Sequence, residues 1–106
     1  YFKKFKDQIE SGQVFKGTIK DYNVVATFAN YAVNELAHFL IKKYNADIGI
    51  VVNTQAKTVS FRRSKQSDVD LSILATKLCQ GGGHSASAGG RLTEKFANLT
   101  KTFTPC

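Results

Sequence analysis

The residues best suited to chemistry lie in one stretch, residues 81–90, with the sequence GGGHSASAGG. It holds five of the protein's eight glycines, and every other side chain there except His84 is serine or alanine. Successive backbone N–H groups in such a loop form a concave, partly positive nest that binds phosphate or carboxylate. His84 beside them can donate or accept a hydrogen bond near neutral pH. The stretch therefore indicates an anion-binding loop, and the simpler alternative is a helix C-cap with a turn, which needs only one glycine.

The overall charge favours the same kind of ligand. Fifteen Lys and Arg residues against eight Asp and Glu give a formal net charge of +7. Such a surface attracts polyanions, of which nucleic acid, nucleotides and anionic membranes are the usual examples. A basic protein that is merely soluble has the same composition, so charge alone does not decide between the two.

Cysteines and apolar runs indicate the setting of the protein. Cys79 and Cys106 are too few for a disulfide framework and lack the spacing of zinc ligands. We therefore expect a reduced, cytoplasmic protein. The longest apolar run, 48–52, is too short to cross a bilayer, and the N-terminus mixes charged with apolar residues, unlike a signal peptide. No membrane partner is expected.

Apolar periodicity predicts an α/β domain around the glycine stretch. Alternating or continuous apolar runs predict strands at 13–20, 24–28, 48–52 and 57–63, with a turn at 21–23. Apolar residues at helical spacing predict helices at 1–11, 33–44 and 71–78. A closing strand and a turn are expected at 91–99, followed by a tail at 100–106. These elements predict a mixed sheet of about five strands with helices packed on it, in a single domain.

Polar residues predict where the helices begin and end. Asn30 is the expected N-cap of the middle helix, and Asn45 is expected to take the left-handed conformation that ends it. Asp68 or Ser72 is expected to cap the last helix, which ends at the glycine stretch. His38, in the middle helix, is interpreted as an ordinary structural or surface histidine, because no second ligand-type residue lies at helical spacing from it.

The strand at 57–63 adds two arginines. Alternation puts Val59 and Phe61 on the core face, and Ser60 and Arg62 on the other face. Arg63 belongs to the core face unless the strand has already ended. A solvated strand end is the alternative interpretation for both arginines.

Strand, arginine, helix and Gly-Gly-Gly-His in this order resemble the DHH-associated domain, the C-terminal half of many DHH-superfamily phosphoesterases. The residues that carry the resemblance are 59–62, 69–75 and above all 81–89. It covers roughly residues 24–92. On this basis residues 1–12 are the end of a linker helix and residues 13–106 are the substrate-binding domain.

The resemblance implies a substrate and a partner domain. In that family an N-terminal domain holds two divalent cations, usually manganese, and the C-terminal domain closes over the cleft. The substrate phosphate and nucleoside would contact Gly81, Gly82, Gly83, His84 and Arg62, with Ser60 as a weaker candidate. The parent protein would then be a metal-dependent phosphodiesterase or phosphoesterase, such as an oligoribonuclease or exonuclease. Its substrate would be a nucleotide, a short oligonucleotide or single-stranded nucleic acid.

The chain departs from the family pattern in ways that affect function. Gln80 stands where members often have a fourth glycine, and Ser87 where they often have a second alanine; either change can alter loop shape or substrate preference. There is no Asp-His-His triplet and no aspartate cluster, so we expect neither a catalytic metal nor catalysis from this chain alone. A non-catalytic nucleic-acid-binding or tRNA-binding module, of the kind found after alanyl-tRNA synthetases, is the alternative. A structural domain with an accidental glycine loop is the third interpretation.

Overall fold

The computed structural model describes residues 14–29, 33–65, 67–85 and 87–105. Their strands are β1 (Val14–Ile19), β2 (Tyr22–Phe28), β3 (Ile48–Asn53), β4 (Thr58–Arg63), β5 (Gly82–His84), β6 (Ser87–Arg91) and β7 (Thr104–Pro105). Their helices are α1 (Val33–Tyr44), α2 (Leu71–Cys79) and α3 (Glu94–Thr100). The predicted linker helix at 1–12, the Asn30 cap and Cys106 lie outside the described residues.

The strands form one mixed sheet in the order β5-β6-β4-β3-β2-β1-β7. β2 and β3 are parallel and joined by α1, whereas the other neighbouring strands are antiparallel. Five of these strands have five or more residues, and β5 and β7 add three and two residues at the edges. The α/β class and the mixed sheet of about five strands are thereby confirmed.

Helices cover both faces of the sheet. α2 and α3 pack on one face, over a cluster that includes Ile48, Ile50 and Phe61. α1 packs on the other face, over Val25 and Val51. Residues 48–52 are buried throughout, as expected for a strand covered on both sides. Residues 33–44, which carry the predicted helical spacing, are helical.

The first hairpin turns earlier than expected. The turn lies at Lys20 and Asp21, and β2 begins at Tyr22, within the predicted turn at 21–23. Lys20 has a φ of 55°. Two-residue hairpin turns use positive φ because it matches the twist of the two strands. Tyr22 is therefore a strand residue and pairs with Ile19.

Two helix ends can be compared with their predicted caps. Asn45 has a φ of 52° and ends α1, as predicted. The N-cap of α2 is Asp70, so the expectation of Asp68 or Ser72 is wrong. The Asp70 carboxylate accepts a hydrogen bond from the backbone N–H of Ser72 at 3.0 Å. The Ser72 hydroxyl also donates to it and lowers the pKa of this carboxyl. The cap lies here because Leu71, the first apolar residue of the pattern, is itself helical.

The C-terminal residues form a helix and a short strand, in place of the strand and turn expected at 91–99 and the tail at 100–106. α3 is capped by Thr93, whose hydroxyl accepts a hydrogen bond from the Phe96 N–H at 3.2 Å. Phe96 is fully buried and meets Phe61 edge to face, with ring centroids 6.1 Å apart. This contact explains why a helix forms where the sequence pattern is weak.

Candidate functional site

The glycine stretch is a β-hairpin, and the expectation of a loop is wrong. Gly82–His84 form β5, which pairs antiparallel with β6 at the edge of the sheet. The left-handed residue that ends α2 is Gln80, with a φ of 53°. Because that position does not fall on a glycine, helix capping does not explain the three glycines.

Packing explains two of the three glycines but not the third. A Cβ on Gly81 would lie 2.0 Å from the Gly89 carbonyl oxygen. A Cβ on Gly83 would lie 2.7 Å from the Ala88 Cα, and Gly83 also has a φ of +142°. A Cβ on Gly82 would meet nothing within 4 Å. The bare backbone at Gly82 therefore borders open space, where a ligand can approach it closely.

Cross-strand pairing places three polar side chains in one row. Arg62 on β4 pairs with Ser87 on β6, and Ser87 pairs with His84 on β5. Directly opposed residues of antiparallel strands point to the same face. The Arg62–Ser87–His84 row therefore spans two strand spacings, or about 10 Å.

A second row lies next to the first on the same face. Ser60 pairs with Gly89, which pairs with Gly82. Gly83 pairs with Ala88, a residue of the apolar cluster on the opposite face. The structure thus brings four of the six predicted site residues to one face. Gly81 and Gly83 support the hairpin from other positions.

This part of the sheet face is not covered by a helix among the described residues. α1 packs against β2, β3 and β4 and stops short of β6 and β5. His84 is exposed, and Ser60, Arg62 and Ser87 are half-buried. The sheet face opposite α2 and α3 is therefore apolar where α1 covers it and polar beside α1.

Arg62 is held by hydrogen bonds that leave part of its guanidinium free. Its Nε donates to Oδ1 of Asn34 on α1 at 2.5 Å. Its Nη1 donates to the Phe61 carbonyl oxygen at 2.7 Å and approaches the Ala88 carbonyl oxygen at 3.5 Å. Nη2 has no acceptor among the described residues. Partial burial lowers the pKa of Arg62, but a guanidinium stays charged at neutral pH.

Arg63 has a different role. Its Nη1 donates to the Val69 carbonyl oxygen at 2.8 Å. It is the last residue of β4, and this bond ties the strand end to the segment before α2. Strand alternation thus separates the two arginines: Arg62 faces the row with Ser87, and Arg63 holds the segment that leads to α2.

A surface depression of about 490 Å³ borders Arg62. Its lining residues are Asn34, His38, Arg62, Arg63, Ser64, Lys65 and Ser87. Four of these are basic residues or histidine, and none is acidic. An apolar cavity of about 380 Å³ lies elsewhere, between α3 and the ends of β1 and β2, and includes none of the predicted site residues. We locate the candidate site at the basic depression because its lining can bind an anion.

Sequence reasoning missed five residues that line this depression: Asn34, His38, Ser64, Lys65 and Ser87. Asn34 and His38 lie four positions apart on one face of α1, and that spacing could have identified them as neighbours. His38 was interpreted as an ordinary surface histidine; it is exposed, and it borders the depression. Ser87 was noted only as a departure from the family pattern, although it lies between Arg62 and His84.

Neither a metal-ligand cluster nor a membrane-spanning helix occurs among the described residues. No group of three or more His, Cys, Asp or Glu side chains there could hold a metal ion. No helix within the described ranges is long and apolar enough to cross a membrane.

Comparisons with known proteins agree with this fold. The DHHA1 domain family matches residues 18–105. A protein of unknown function from Helicobacter pylori has a TM-score of 0.63 and 20% identity, over 82% of this chain and 24% of its own. An exopolyphosphatase-related protein from Bacteroides fragilis has a TM-score of 0.63 and 14% identity, over 92% of this chain and 32% of its own. A pGpG-specific phosphodiesterase, PggH, from Vibrio cholerae has a TM-score of 0.57 and 18% identity, over 93% and 35%.

At identities of 14–20%, the solved structures show a shared fold. The chain spans about a quarter to a third of the length of each of them. The sequence has no significant match among the curated proteins.

Proposed function

Because the chain belongs to the DHHA1 domain family, we propose that it is the substrate-recognition domain of a DHH-family phosphoesterase. Its ligand is a phosphate of a nucleotide, a short oligonucleotide or single-stranded nucleic acid. The observation that carries this proposal is the Arg62–Ser87–His84 row on an uncovered part of the sheet. The similarity in fold to a pGpG-specific phosphodiesterase supports a dinucleotide as a suitable ligand.

Each residue of the row has something to offer a phosphate. The free Nη2 of Arg62 donates charge-assisted hydrogen bonds, which are shorter and stronger than neutral ones. The Ser87 hydroxyl and the His84 imidazole add further donors. The bare backbone of Gly82, in the adjacent row with Ser60, lets a phosphate or sugar approach the sheet. Asn34 fixes the orientation of Arg62, so less side-chain entropy is lost on binding.

The metal chemistry belongs to a different part of the proposed enzyme. The described residues of this chain do not supply a metal-ligand set. We propose that two divalent cations, manganese in the usual case, are held by an N-terminal DHH domain of a longer parent chain. The greater length of the similar solved structures supports such a parent. In this arrangement the present domain orients the substrate and limits access of water.

An NMR titration with a 5′-phosphorylated dinucleotide tests the proposal. We expect shifts at Ser60, Arg62, His84 and Ser87, and affinity that falls as salt is added, since the contact is electrostatic. Arg62→Lys should lower affinity about ten- to hundredfold, because losing a charged hydrogen-bond partner costs about 1.5–3 kcal/mol. A lysine cannot form the same forked contact.

Arg63→Lys is the matched control. It keeps the charge one residue away and removes only the hydrogen bond to the Val69 carbonyl oxygen. Thermal melts should come first, and we expect both variants to remain folded, with a far smaller loss of dinucleotide affinity in Arg63→Lys, because lysine keeps the charge that Arg63 brings to the depression. Equal affinity of Arg62→Lys and the wild type, or a loss in Arg63→Lys alone, would contradict the proposal.

A further inference from the structure

The depression at Arg62 continues into a second one along α1. The second has a volume of about 410 Å³ and reaches Lys42 and Asn45 at the end of the helix. His38, Arg63, Ser64 and Lys65 line both depressions. The two therefore form one continuous feature, which we call the basic groove.

We infer that the basic groove binds a second phosphate of an oligonucleotide whose first phosphate lies at the Arg62–Ser87–His84 row. This inference rests on the proposed function and extends it. It makes the favoured substrate a chain of several nucleotides, with its backbone running from the sheet along the C-terminal half of α1.

The charges of the groove support this assignment. Arg62, Arg63, Lys42 and Lys65 line it, and none of the lining residues is Asp or Glu. The two arginines already donate to groups of the protein. Lys42 and Lys65 are exposed and make no ion pair with another described residue. Their ammonium groups are therefore available to a phosphate.

The end of α1 makes these two lysines necessary. The last turn of a helix carries a partial negative charge, which disfavours an anion nearby. Lys42 lies in that turn, and Lys65 approaches from the loop after β4. A phosphate in this part of the groove depends on these two ammonium groups, together with Arg63, for a net attraction.

Apolar groups in the second depression favour a nucleotide chain over a simple polyphosphate. Ile41 and Ala46 line it beside the lysines, with 8% and 7% of their surfaces exposed. A ribose or base offers apolar surface to such groups, whereas inorganic polyphosphate does not. The groove thus combines backbone-tracking charge with a small apolar contact, as sites for single-stranded nucleic acid do.

The test compares a mononucleotide with a pentanucleotide, both 5′-phosphorylated. The variant is Lys42→Gln with Lys65→Gln. The control is Lys77→Gln with Lys95→Gln, which removes the same charge from exposed positions on α2 and α3, on the opposite face of the sheet. Lys77 matches Lys42 closely, since each lies in the last turn of its helix. Affinity is measured by fluorescence anisotropy at several salt concentrations.

The expected result is a loss that depends on ligand length. For single strands, each lost phosphate contact lowers the salt slope by about 0.7, so loss of the second phosphate contact should lower it by about 0.7. If affinities converge near 1 M salt, this is a roughly fivefold weaker pentanucleotide complex at 0.1 M. Mononucleotide affinity should fall by a smaller factor than pentanucleotide affinity, because Lys42 lines only the second depression, whereas Lys65 also lines the first.

Three results would overturn the inference. One is an unchanged pentanucleotide affinity in the lysine variant. Another is an equal loss for mononucleotide and pentanucleotide, and the third is an equal loss in the control variant.

Arg62→Lys is measured in parallel to separate the two proposals. If it weakens both ligands while the lysine variant weakens neither, the proposed function holds and the basic groove does not. If the lysine variant weakens only the pentanucleotide and Arg62→Lys has no effect, the proposed function fails instead.

Discussion

One face of the sheet has two halves that differ sharply. Under α1, Val25 and Val51 are almost fully buried against Leu36 and Leu40. Beside α1, over β4, β6 and β5, the same face carries Ser60, Arg62, Ser87 and His84 (this set is the open half). The strands run through both halves in one register, so the difference follows from where the helix lies. The apolar half provides stability, and the open half is where we place the proposed phosphate contacts.

Gly49 connects the two halves. It lies on β3 and pairs with Arg62 on the open side and with Val25 on the covered side. A Cβ on Gly49 would lie 2.8 Å from the Ala37 carbonyl oxygen, so α1 approaches the sheet closely at this point. That close approach brings Asn34 within hydrogen-bonding distance of Arg62. Packing of the covered half therefore positions the cation of the open half.

The largest expected effect tests the stability of the covered half. Leu40 is completely buried, and Leu40→Ala should lower the free energy of unfolding by about 2–5 kcal/mol. Ser60→Ala, on the open half, should change it by less than about 0.5 kcal/mol, because no hydrogen bond of its hydroxyl to the described residues is lost. Urea denaturation followed by circular dichroism measures both. Similar losses in the two variants would mean that the halves do not differ as described.

A smaller effect separates two adjacent glycines of the hairpin. Gly83→Ala should cost about 1–3 kcal/mol, since it forces a Cβ against backbone at a positive φ. Gly82→Ala meets open space and should leave the free energy of unfolding within about 0.5 kcal/mol of the wild type. Its expected effect is weaker binding of the 5′-phosphorylated dinucleotide.

The same two variants can contradict this division of roles. Urea denaturation gives the stability of each, and the NMR titration gives the affinity of Gly82→Ala. Unchanged dinucleotide affinity in Gly82→Ala would show that no ligand approaches the backbone there. A large loss of stability in that variant would assign Gly82 to packing as well.

Local patterns in the sequence predicted the covered half better than the open half. The continuous apolar run at 48–52 and the helical spacing in α1 are local and were interpreted correctly. Alternation also separated Arg62 from Arg63, because a period of two fixes which face each residue takes. These features depend on neighbours in sequence, and the sequence contains them directly.

The remaining features depend on contacts distant in sequence. Residues 82–84 form a strand only because β6 is there to pair with them, and glycine itself disfavours strands. Asn34 reaches Arg62 across 28 positions of sequence, which no local pattern encodes. α3 has one fully buried residue, Phe96, and its helix is stabilised by packing rather than by its own sequence. The sequence therefore predicted which residue types belong to the candidate site. It did not predict how they are arranged on the surface of the sheet.

The smallest expected effect concerns Cys79. Its reactivity tests whether the apolar cluster under α2 stays closed to solvent next to the β5–β6 hairpin. Cys79 has no exposed surface, and a Cβ on Gly90 of β6 would lie 2.6 Å from its carbonyl oxygen. Burial raises the pKa of the Cys79 thiol to about 11. In a Cys106→Ser background we expect alkylation by iodoacetamide at pH 8 to be far slower than for a free thiol, because the thiolate is the nucleophile. Alkylation at the rate of a free thiol would mean that the hairpin opens and exposes this end of the apolar cluster.

The same raised pKa predicts how stability depends on pH. The folded state holds the thiol proton more tightly than the unfolded state, so the contribution of Cys79 is constant below the unfolded pKa, near 8.5–9. It is lost as pH rises from there towards 11. At pH 9.5 the loss of free energy of unfolding should be about 1 kcal/mol relative to pH 7.5. Cys79→Ala in the same background removes this thiol and should lose less stability over that interval. An equal loss in both proteins would show that other groups, rather than a closed apolar face around Cys79, cause the alkaline decline.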